Sequence, residues 1–433
     1  MNVLNKIFLI FHIVLFSTSI YSQSCFESTP DIESLRNLYC KKMVERAQRD
    51  EKTETPDWVK QLPEKFATLL NERHLYKEGP VWGLAKRDPQ SKLFYDEGGS
   101  LYFLRLATMY NLWNRMPPLD ENKRKEALTF WKSWQNPISG IFYDPKHPER
   151  MVNEKYIKAL IDWFGGKPLY PSKTSQQAIS YDENGKINTT IFLNRTKNDP
   201  DWEKGGWGVG SHTGKMAKEL WYKVNEGHTG LIPDLKLGIE QILSHQDPGS
   251  GLWGPPQADL TGRIGGTLKI ISRFYHGMGI KVPYSQEMTN SIIEYSQNGT
   301  WESLSSFCVP VNVVTTISYL LETSDYRKEE LYNVMESILE GIRNNWFTHD
   351  GIPLTSYRDL NSIGIEYTII NAIGIIGGYL NWQNCPIKND LLDSPFNQRG
   401  FGYRYLANVD EHGNVTVNDI NQIHIPYSEH LDF

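Results

Sequence analysis

HQDPGSGLWGPP, residues 245–256, has a near-copy upstream in WQNPISGIFYDP, residues 134–145. Aligned without a gap, the two stretches share a Gln, a Pro, a Ser and a Gly, followed by an aliphatic and then an aromatic residue. Each copy stands where one predicted helix ends and the next is about to begin, and a weaker third copy, FTHDGIPL at residues 347–354, occupies the same place. The repetition indicates a turn that recurs in a fold of helix pairs.

Each residue type in this turn fits a structural corner. In the downstream copy Gly251 permits the positive φ that such a corner needs, and Pro248 ends the preceding helix. We predict that Gln246 caps exposed helix-end carbonyls and that Trp253 covers the corner, with the same roles repeated in the upstream copy. The alternative interpretation is a ligand-binding element that the chain uses twice.

Helical periodicity recurs along most of the chain in two alternating kinds. Amphipathic helices with charged outer faces are predicted at about 57–73, 122–135, 233–246, 285–299 and 324–346. Helices that are apolar nearly all round are predicted to begin near 99, 150, 210, 260, 304 and 361. A helix without a polar face is buried on all sides, so the alternation predicts two concentric rings of helices.

The turn resembles the Gln-x-x-x-Gly-x-Trp device of α/α-toroids, with one more residue between the Gln and the Gly. That superfamily contains terpenoid cyclases, protein prenyltransferases and the (α/α)6 barrels of polysaccharide-active enzymes. The resemblance covers most of the chain at the level of architecture, and its motif specifies a corner rather than a reaction. The chain has no DxDD or DDxxD motif, and an Asp/Cys/His zinc triad cannot be assembled from it, which argues against isoprenoid chemistry.

The resemblance implies an all-α fold, an (α/α)6 barrel with a small β-hairpin insertion and a C-terminal irregular or hairpin tail. The hairpin is predicted around Asn184-Gly185, in place of an outer helix that is missing between residues 165 and 205. The expected division of the chain is a signal peptide at 1–22, an N-terminal extension at 23–56, the barrel domain at 57–393 and a tail packing on the barrel at 394–433.

The N-terminus has the pattern of a targeting segment. Lys6 supplies a positive charge, IFLIFHIVLF is an apolar core, and TSIYSQS offers small residues for cleavage near Ser22. We therefore expect an exported protein, periplasmic or secreted. No later apolar stretch is long enough to predict a membrane span.

The net charge and the number of cysteines exclude some classes of binding partner and some kinds of structural site. The net charge of −6 leaves no polybasic surface for nucleic acid or anionic lipid. The four cysteines (Cys25, Cys40, Cys308 and Cys385) are too few for a disulfide framework, although one Cys25–Cys40 bridge fits an oxidising compartment. No CxxC or HxxxH spacing supports a metal site, and we expect no cofactor and either a monomer or a homodimer.

Aromatic residues make up 12% of the chain, with 13 Trp and 23 Tyr. The apolar face of a sugar ring stacks on such side chains while the edge of the ring forms hydrogen bonds. The composition therefore favours a poly- or oligosaccharide ligand.

The N-terminal ends of the inner helices should converge on one mouth of a barrel, where unpaired N–H groups and positive dipole ends meet. Five residues near these ends are candidates for catalysis: His212, Arg263, Tyr357, Arg358 and Glu366. Six more are candidates for substrate binding: Trp207, Trp253, Gln257, Asp259, Asn312 and Tyr367. Structural alternatives stand beside them: a Gly-rich corner in which His212 caps a helix, surface salt-bridge roles for Asp259 and Arg263, and an internally paired Glu366.

β-Elimination on a uronic acid needs a neutral His or Tyr to take the C5 proton, a cation or amide for the carboxylate, and an acid for the departing C4 oxygen. These candidates supply such groups, so a carbon–oxygen lyase or an oligosaccharide dehydratase is the favoured hypothesis. A glycoside hydrolase with two carboxylates is the first alternative. Its possible members are Asp96, Glu97, Asp259, Asp359 and Glu366, with N-capping as the competing role for Asp96 and Glu97. A non-catalytic glycan-binding protein is the second alternative.

Overall fold

The computed structural model describes residues 45, 47–73, 83–87, 93–110, 112, 120–150, 152–170, 180–181, 186–225, 228–271, 282–297, 308–347, 363–387, 407–409 and 415–417. Within these ranges the chain is mostly helical, with short strands paired two by two, which confirms the all-α class. None of the described helices is long and apolar enough to cross a membrane. The predicted signal peptide, Cys25 and Cys40 lie outside the described residues.

The described helices are α1 (Asp57–Lys60), α2 (Leu62–Arg73), α3 (Glu97–Met109), α4 (Glu121–Lys132), α5 (Glu154–Trp163), α6 (Thr190–Asn198), α7 (Trp207–Asn225), α8 (Ile232–Leu243), α9 (Leu260–Ile270), α10 (Ser285–Gln297), α11 (Cys308–Thr323), α12 (Lys328–Trp346) and α13 (Ile363–Tyr379). The described strands are β1 (Thr53–Glu54), β2 (Leu84–Arg87), β3 (Leu93–Asp96), β4 (Ser180–Tyr181), β5 (Ile187–Asn188), β6 (Trp382–Gln383), β7 (Ala407–Val409) and β8 (Val415–Val417).

The alternation of buried and exposed helices follows the sequence prediction. From α2 onward the even-numbered helices have exposed faces, whereas α9, α11 and α13 are buried on nearly every side. The buried helices pack against one another in the series α5–α3–α13–α11–α9–α7, which we call the inner series. The outer helices lie against it, with α4 on α5, α6 and α8 on α7, α10 on α11, and α12 on α11 and α13.

The segment between residues 165 and 205 corrects one prediction. The hairpin is present, since β4 and β5 pair antiparallel with Tyr181 opposite Ile187. The outer helix is not missing, because α6 follows the hairpin directly and packs against α7 and α8. The ring of Phe192 fills the space above Gly238, so α6 is stabilised by tertiary packing that its short sequence pattern does not reveal.

Two further hairpins flank the helical region. β2 pairs antiparallel with β3 directly ahead of α3, an element that the sequence pattern did not predict. In the predicted tail, β7 pairs antiparallel with β8, so the part of the tail that is described is a hairpin.

Residues 47–55 form a strap along the end of α13. Strand β1 runs parallel to β6, and the Arg49 N–H donates to the Tyr379 carbonyl at 2.8 Å. The buried Thr55 hydroxyl donates to the Gln383 carbonyl at 2.6 Å. The part of the predicted extension nearest α1 thus binds the two ends of the helical region together.

The downstream copy of the repeated turn is closed by hydrogen bonds around Gln246. Gln246 and Trp253 form an isolated antiparallel bridge, and Gln246 Nε2 donates to the carbonyls of Gly251 at 2.9 Å and Pro283 at 2.8 Å. Gly251 has the predicted positive φ, 69°. Trp253 is fully buried, and its Nε1 donates to the Ile242 carbonyl in the last turn of α8 at 2.8 Å. The predicted capping role of Gln246 is therefore wrong, because the indole caps the helix-end carbonyl.

The upstream copy repeats this arrangement. Gln135 bridges Phe142, and Gln135 Nε2 donates to the carbonyls of Gly140 at 2.8 Å and Tyr170 at 2.6 Å. In both copies, therefore, the Gln side chain connects its own turn to the segment that follows the next buried helix. Of the third copy only Phe347 is described, and residues 348–354 lie outside the described residues.

Candidate functional site

Tyrosine and arginine side chains of three inner helices meet in what we call the tyrosine cluster: Tyr102 and Arg105 of α3, Tyr156 of α5 and Tyr367 of α13. The hydroxyls of Tyr102 and Tyr156 lie 3.4 Å apart, and the Tyr102 and Tyr367 rings are 5.3 Å apart. The Arg105 guanidinium lies over the Tyr367 ring, 5.0 Å from its centre. Tyr102, Arg105 and Tyr156 are half-buried, so the cluster combines solvent access with a cation and phenol groups.

A buried ion network fixes the starts of the two helices that carry Tyr102 and Tyr156. Glu97 Oε1 accepts from the Asn153 N–H at 2.9 Å, and Glu97 Oε2 accepts from Arg150 at 2.9 Å. Arg150 also contacts the fully buried Asp144, with 3.3 Å between Nε and Oδ2. Both oxygens of Glu97 thereby hold α3 against α5, a structural use of a carboxylate that the hydrolase hypothesis counted as a possible acid or base.

Asp96 departs from the capping role that the sequence favoured for it. It precedes α3 with extended backbone, yet within the described helix its carboxylate does not form the capping bond. The side chain is buried and lies beside Gly98, where an added Cβ would be 3.7 Å from Asp96 Oδ1 and 3.2 Å from the Tyr156 ring. Asp96 thus borders the tyrosine cluster.

Glu366 is almost completely buried in α13, next in sequence to Tyr367. Burial, and then the charge of the nearby Glu366, raise the pKa of Tyr110 well above its usual value. The buried Tyr110 hydroxyl has no hydrogen-bond partner among the described residues. The predicted carboxylate therefore lies at depth behind the tyrosine cluster rather than at its open side.

Two other candidates, Trp207 of α7 and Asn312 of α11, lie close to α9, which carries Lys269. Trp207 is exposed over 38% of its surface, and its ring lies against Gly265, where an added Cβ would be 2.5 Å from the indole. Lys269, one helical turn after Gly265, places Nζ 4.6 Å from the centre of the Trp207 ring. Asn312 of α11 is buried, with Nδ2 3.5 Å from the same Cβ position. Gly265 and Lys269 share one face of α9, so the indole and the Lys269 ammonium lie together where α9 contacts α7.

His212 lies in the second turn of α7 and is exposed. Its Nδ1 is 2.8 Å from the Gly208 carbonyl, so Nδ1 carries the proton of the neutral ring and Nε2 keeps its lone pair. This tautomer suits a general base.

Arg263 is directed into the repeated turn, contrary to the predicted catalytic role. Its Nη2 lies 2.9 Å from Asp247 Oδ2 and 2.5 Å from Ser250 Oγ, and the side chain is buried. Asp259 caps α9 by accepting from the Gly262 N–H at 2.8 Å, and the salt bridge that Arg263 forms is buried rather than at the surface. A cation buried beside a turn carboxylate stabilises the turn rather than meeting substrate.

The other predicted binding residues are dispersed. Trp253 is fully buried in the turn, which argues against contact with a ligand, and Gln257 is exposed in the segment before α9. Tyr357, Arg358 and Asp359 lie outside the described residues.

The glycines around Trp207 pack backbone against backbone instead of admitting a ligand. A Cβ added at Gly266 of α9 would collide with the Gly205 carbonyl, and one at Gly254 would lie 2.7 Å from the Gly205 Cα. Gly205 itself has a φ of 100°. We call Gly205, Gly254 and Gly266 the glycine junction, and it fixes the start of α7 against α9 and the downstream turn.

Sequence reasoning missed Tyr102, Arg105, Tyr156 and Asp96 as a group. One signal was available, since Arg105 is the single charged residue in the otherwise apolar stretch LYFLRLATMY, residues 101–110. The described residues contain no group of three or more His, Cys, Asp or Glu side chains that could hold a metal ion. Comparison with protein-family models, with curated proteins and with solved structures found no match for this chain.

Proposed function

We propose that the chain is an (α/α)6 barrel and an exported carbon–oxygen lyase that acts on a uronic acid residue of a poly- or oligosaccharide. The barrel is supported by the described helices from α2 to α13, in which six outer helices alternate with six inner ones, and by the order of the inner series. Closure of the ring requires only that α5 and α7 be neighbours. The N-terminal ends of the inner helices would then face one mouth, with the tyrosine cluster on one half and Trp207 on the other.

The tyrosine cluster is the observation that carries the lyase proposal. In β-elimination a base removes the C5 proton, the electron pair forms the C4–C5 double bond, and the C4–O bond breaks as its oxygen takes a proton. Arg105 supplies positive charge for the uronate carboxylate, which gains negative charge in the transition state. The adjacent hydroxyls of Tyr102 and Tyr156 provide a donor and an acceptor 3.4 Å apart, suited to moving a proton onto the departing oxygen.

The remaining candidates fit supporting roles. The exposed part of Trp207 offers a stacking surface for a sugar ring on the other half of the proposed mouth. His212, with Nε2 as acceptor, is the base proposed for the C5 proton. The buried Asn312 holds an amide at the same end of the inner series.

A glycoside hydrolase is the second candidate, and Asp96 is the observation that favours it. Its carboxylate is buried at the edge of the tyrosine cluster and is not used to cap α3. Glu97, however, accepts hydrogen bonds on both of its carboxylate oxygens. These bonds argue against Glu97 as the second catalytic carboxylate of a hydrolase.

The test compares Tyr156→Phe and Arg105→Met with Tyr170→Phe, a control at an exposed tyrosine. On uronate-containing glycans the wild type and the control should produce the ultraviolet absorbance of a C4–C5 double bond. Tyr156→Phe should lower kcat by about 100-fold or more, because only a proton-transfer group is removed. Arg105→Met should both raise KM and lower kcat, each by about tenfold, because the guanidinium binds the carboxylate and also stabilises the charge that it gains in the transition state.

Two outcomes would contradict the lyase. New reducing ends without the absorbance, abolished by Asp96→Asn, would favour the hydrolase. Binding of the glycan without any product would favour the non-catalytic glycan-binding protein.

A further inference from the structure

A separate groove lies near the opposite end of α7 from Trp207. It has a volume of about 550 Å³ and is lined by residues of the β4–β5 hairpin, the end of α7 and the start of α8. A helix of 19 residues is about 28 Å long, so this groove is distinct from the surface around Trp207. The described residues that line it do not include those of the tyrosine cluster.

Among the described residues that line the groove, basic side chains outnumber acidic ones, although the whole chain is acidic. Lys186 reaches it from the hairpin, Lys223 from α7 and His228 from the α7–α8 connection. Asp234 is the one acidic side chain in the lining among the described residues, and its Oδ2 accepts a hydrogen bond from the Thr189 hydroxyl at 2.5 Å. Three basic side chains from three elements therefore face a common space in a chain of net charge −6.

The backbone that carries these side chains is held in place. Strand β5 is paired with β4, and Asn188 Oδ1 accepts from the Thr190 N–H at 2.9 Å at the start of α6. The His228 N–H donates to the Lys223 carbonyl at 3.0 Å, which fixes the spacing of these two residues. When the charged side chains of a concave site stand on a fixed backbone, less conformational entropy is lost on binding.

We propose that the groove is a second binding site for an acidic glycan, in which Lys186, Lys223 and His228 contact its carboxylate or sulfate groups. The inference rests on the glycan class of the proposed function, but not on the lyase chemistry. The groove would hold a polymer at a distance from the mouth, so that a long ligand gains affinity by engaging two sites on one molecule.

The test measures binding of an oligouronate, a sulfated oligosaccharide and inorganic sulfate to the intact protein by calorimetry. The groove variant is Lys186→Ala/Lys223→Ala, and the matched control, Lys167→Ala/Lys197→Ala, removes two exposed lysines that do not line the groove. The groove variant should bind the long acidic glycan about tenfold more weakly, with a weaker salt dependence, and the control should bind like wild type. Thermal unfolding of both variants checks that they are folded.

Each outcome is decisive. Equal affinity of the groove variant and the control would overturn the proposal, as would binding of inorganic sulfate as tight as that of both glycans. If the groove variant binds the glycan more weakly but the wild type forms no unsaturated product, the proposed binding site is supported and the proposed lyase activity is contradicted. If the wild type forms the unsaturated product but the groove variant binds the glycan as tightly as wild type, the lyase activity is supported and the second binding site is contradicted.

Discussion

Arg263 illustrates how one residue supports the fold where the sequence suggested chemistry. It is buried against the turn carboxylate of Asp247, which is partly solvated. Burial raises the pKa of Asp247, but hydrogen bonds from Ser250, from the Gly249 N–H and from Arg263 outweigh it, so the net pKa is lowered. A lowered pKa in the folded state means that the ionised carboxylate stabilises the native turn.

We predict that Asp247→Asn lowers the free energy of unfolding at neutral pH by about 1–2 kcal/mol, because Arg263 stays buried without its counter-charge. The stabilisation by Asp247 is fully present above its unfolded pKa of about 3.9 and is lost as the pH falls through the lower folded value. Urea unfolding of both proteins should show the difference shrinking in acid. The exposed Asp162 provides the control, since Asp162→Asn should have little effect at any pH.

At the scale of the element, the sequence pattern predicts a helix where apolar spacing is long and regular, as in α9, α11 and α13. It fails where tertiary contacts decide the outcome. The nine-residue helix α6 depends on Phe192 packing against Gly238, and the β2–β3 hairpin is set by pairing with a strand rather than by its own composition.

The glycine junction provides the element-scale prediction. Gly266→Ala should destabilise the chain by about 1–3 kcal/mol or more, because the new methyl group collides with the Gly205 backbone and forces α9 away from α7. Gly230→Ala is the matched control, since an added Cβ there meets no atom within 4 Å. Urea unfolding and the fluorescence of the exposed Trp207 report on stability and on the α7–α9 contact. Equal midpoints for the two variants would contradict this account of the junction.

At the scale of the whole molecule, the sequence predicts the alternation of inner and outer helices but not which polar side chains meet. Tyr102 and Tyr367 are more than 260 residues apart in the chain and come within 5.3 Å only because α13 packs beside α3. Helical periodicity gives the face on which a residue lies, whereas the order of helices around the inner series sets its neighbours. The predicted candidates Arg263 and Trp253 proved structural for the same reason, since their partners lie within the turn.

The strap is the part of the molecule in which the two ends of the helical region are joined, and it supports the last prediction. The Arg49 N–H donates to the last residue of α13, and the Thr55 hydroxyl donates to the segment after it, so both bonds hold the last inner helix beside the first part of the chain. A protein that begins at residue 56 should therefore unfold at a lower temperature than one that begins at residue 45. Thr55→Val, which keeps the shape and removes the hydroxyl, should lose about 1 kcal/mol.

Hydrogen exchange would show where the effect of this truncation is felt. If the strap stabilises only the helices next to it, hydrogen exchange should rise in α13 and in α3, the neighbour of α13 in the inner series, while α8 stays protected. A uniform rise in every helix would mean that the strap supports the fold as a whole. Unchanged exchange and an unchanged midpoint would contradict any role of residues 47–55 in joining the two ends.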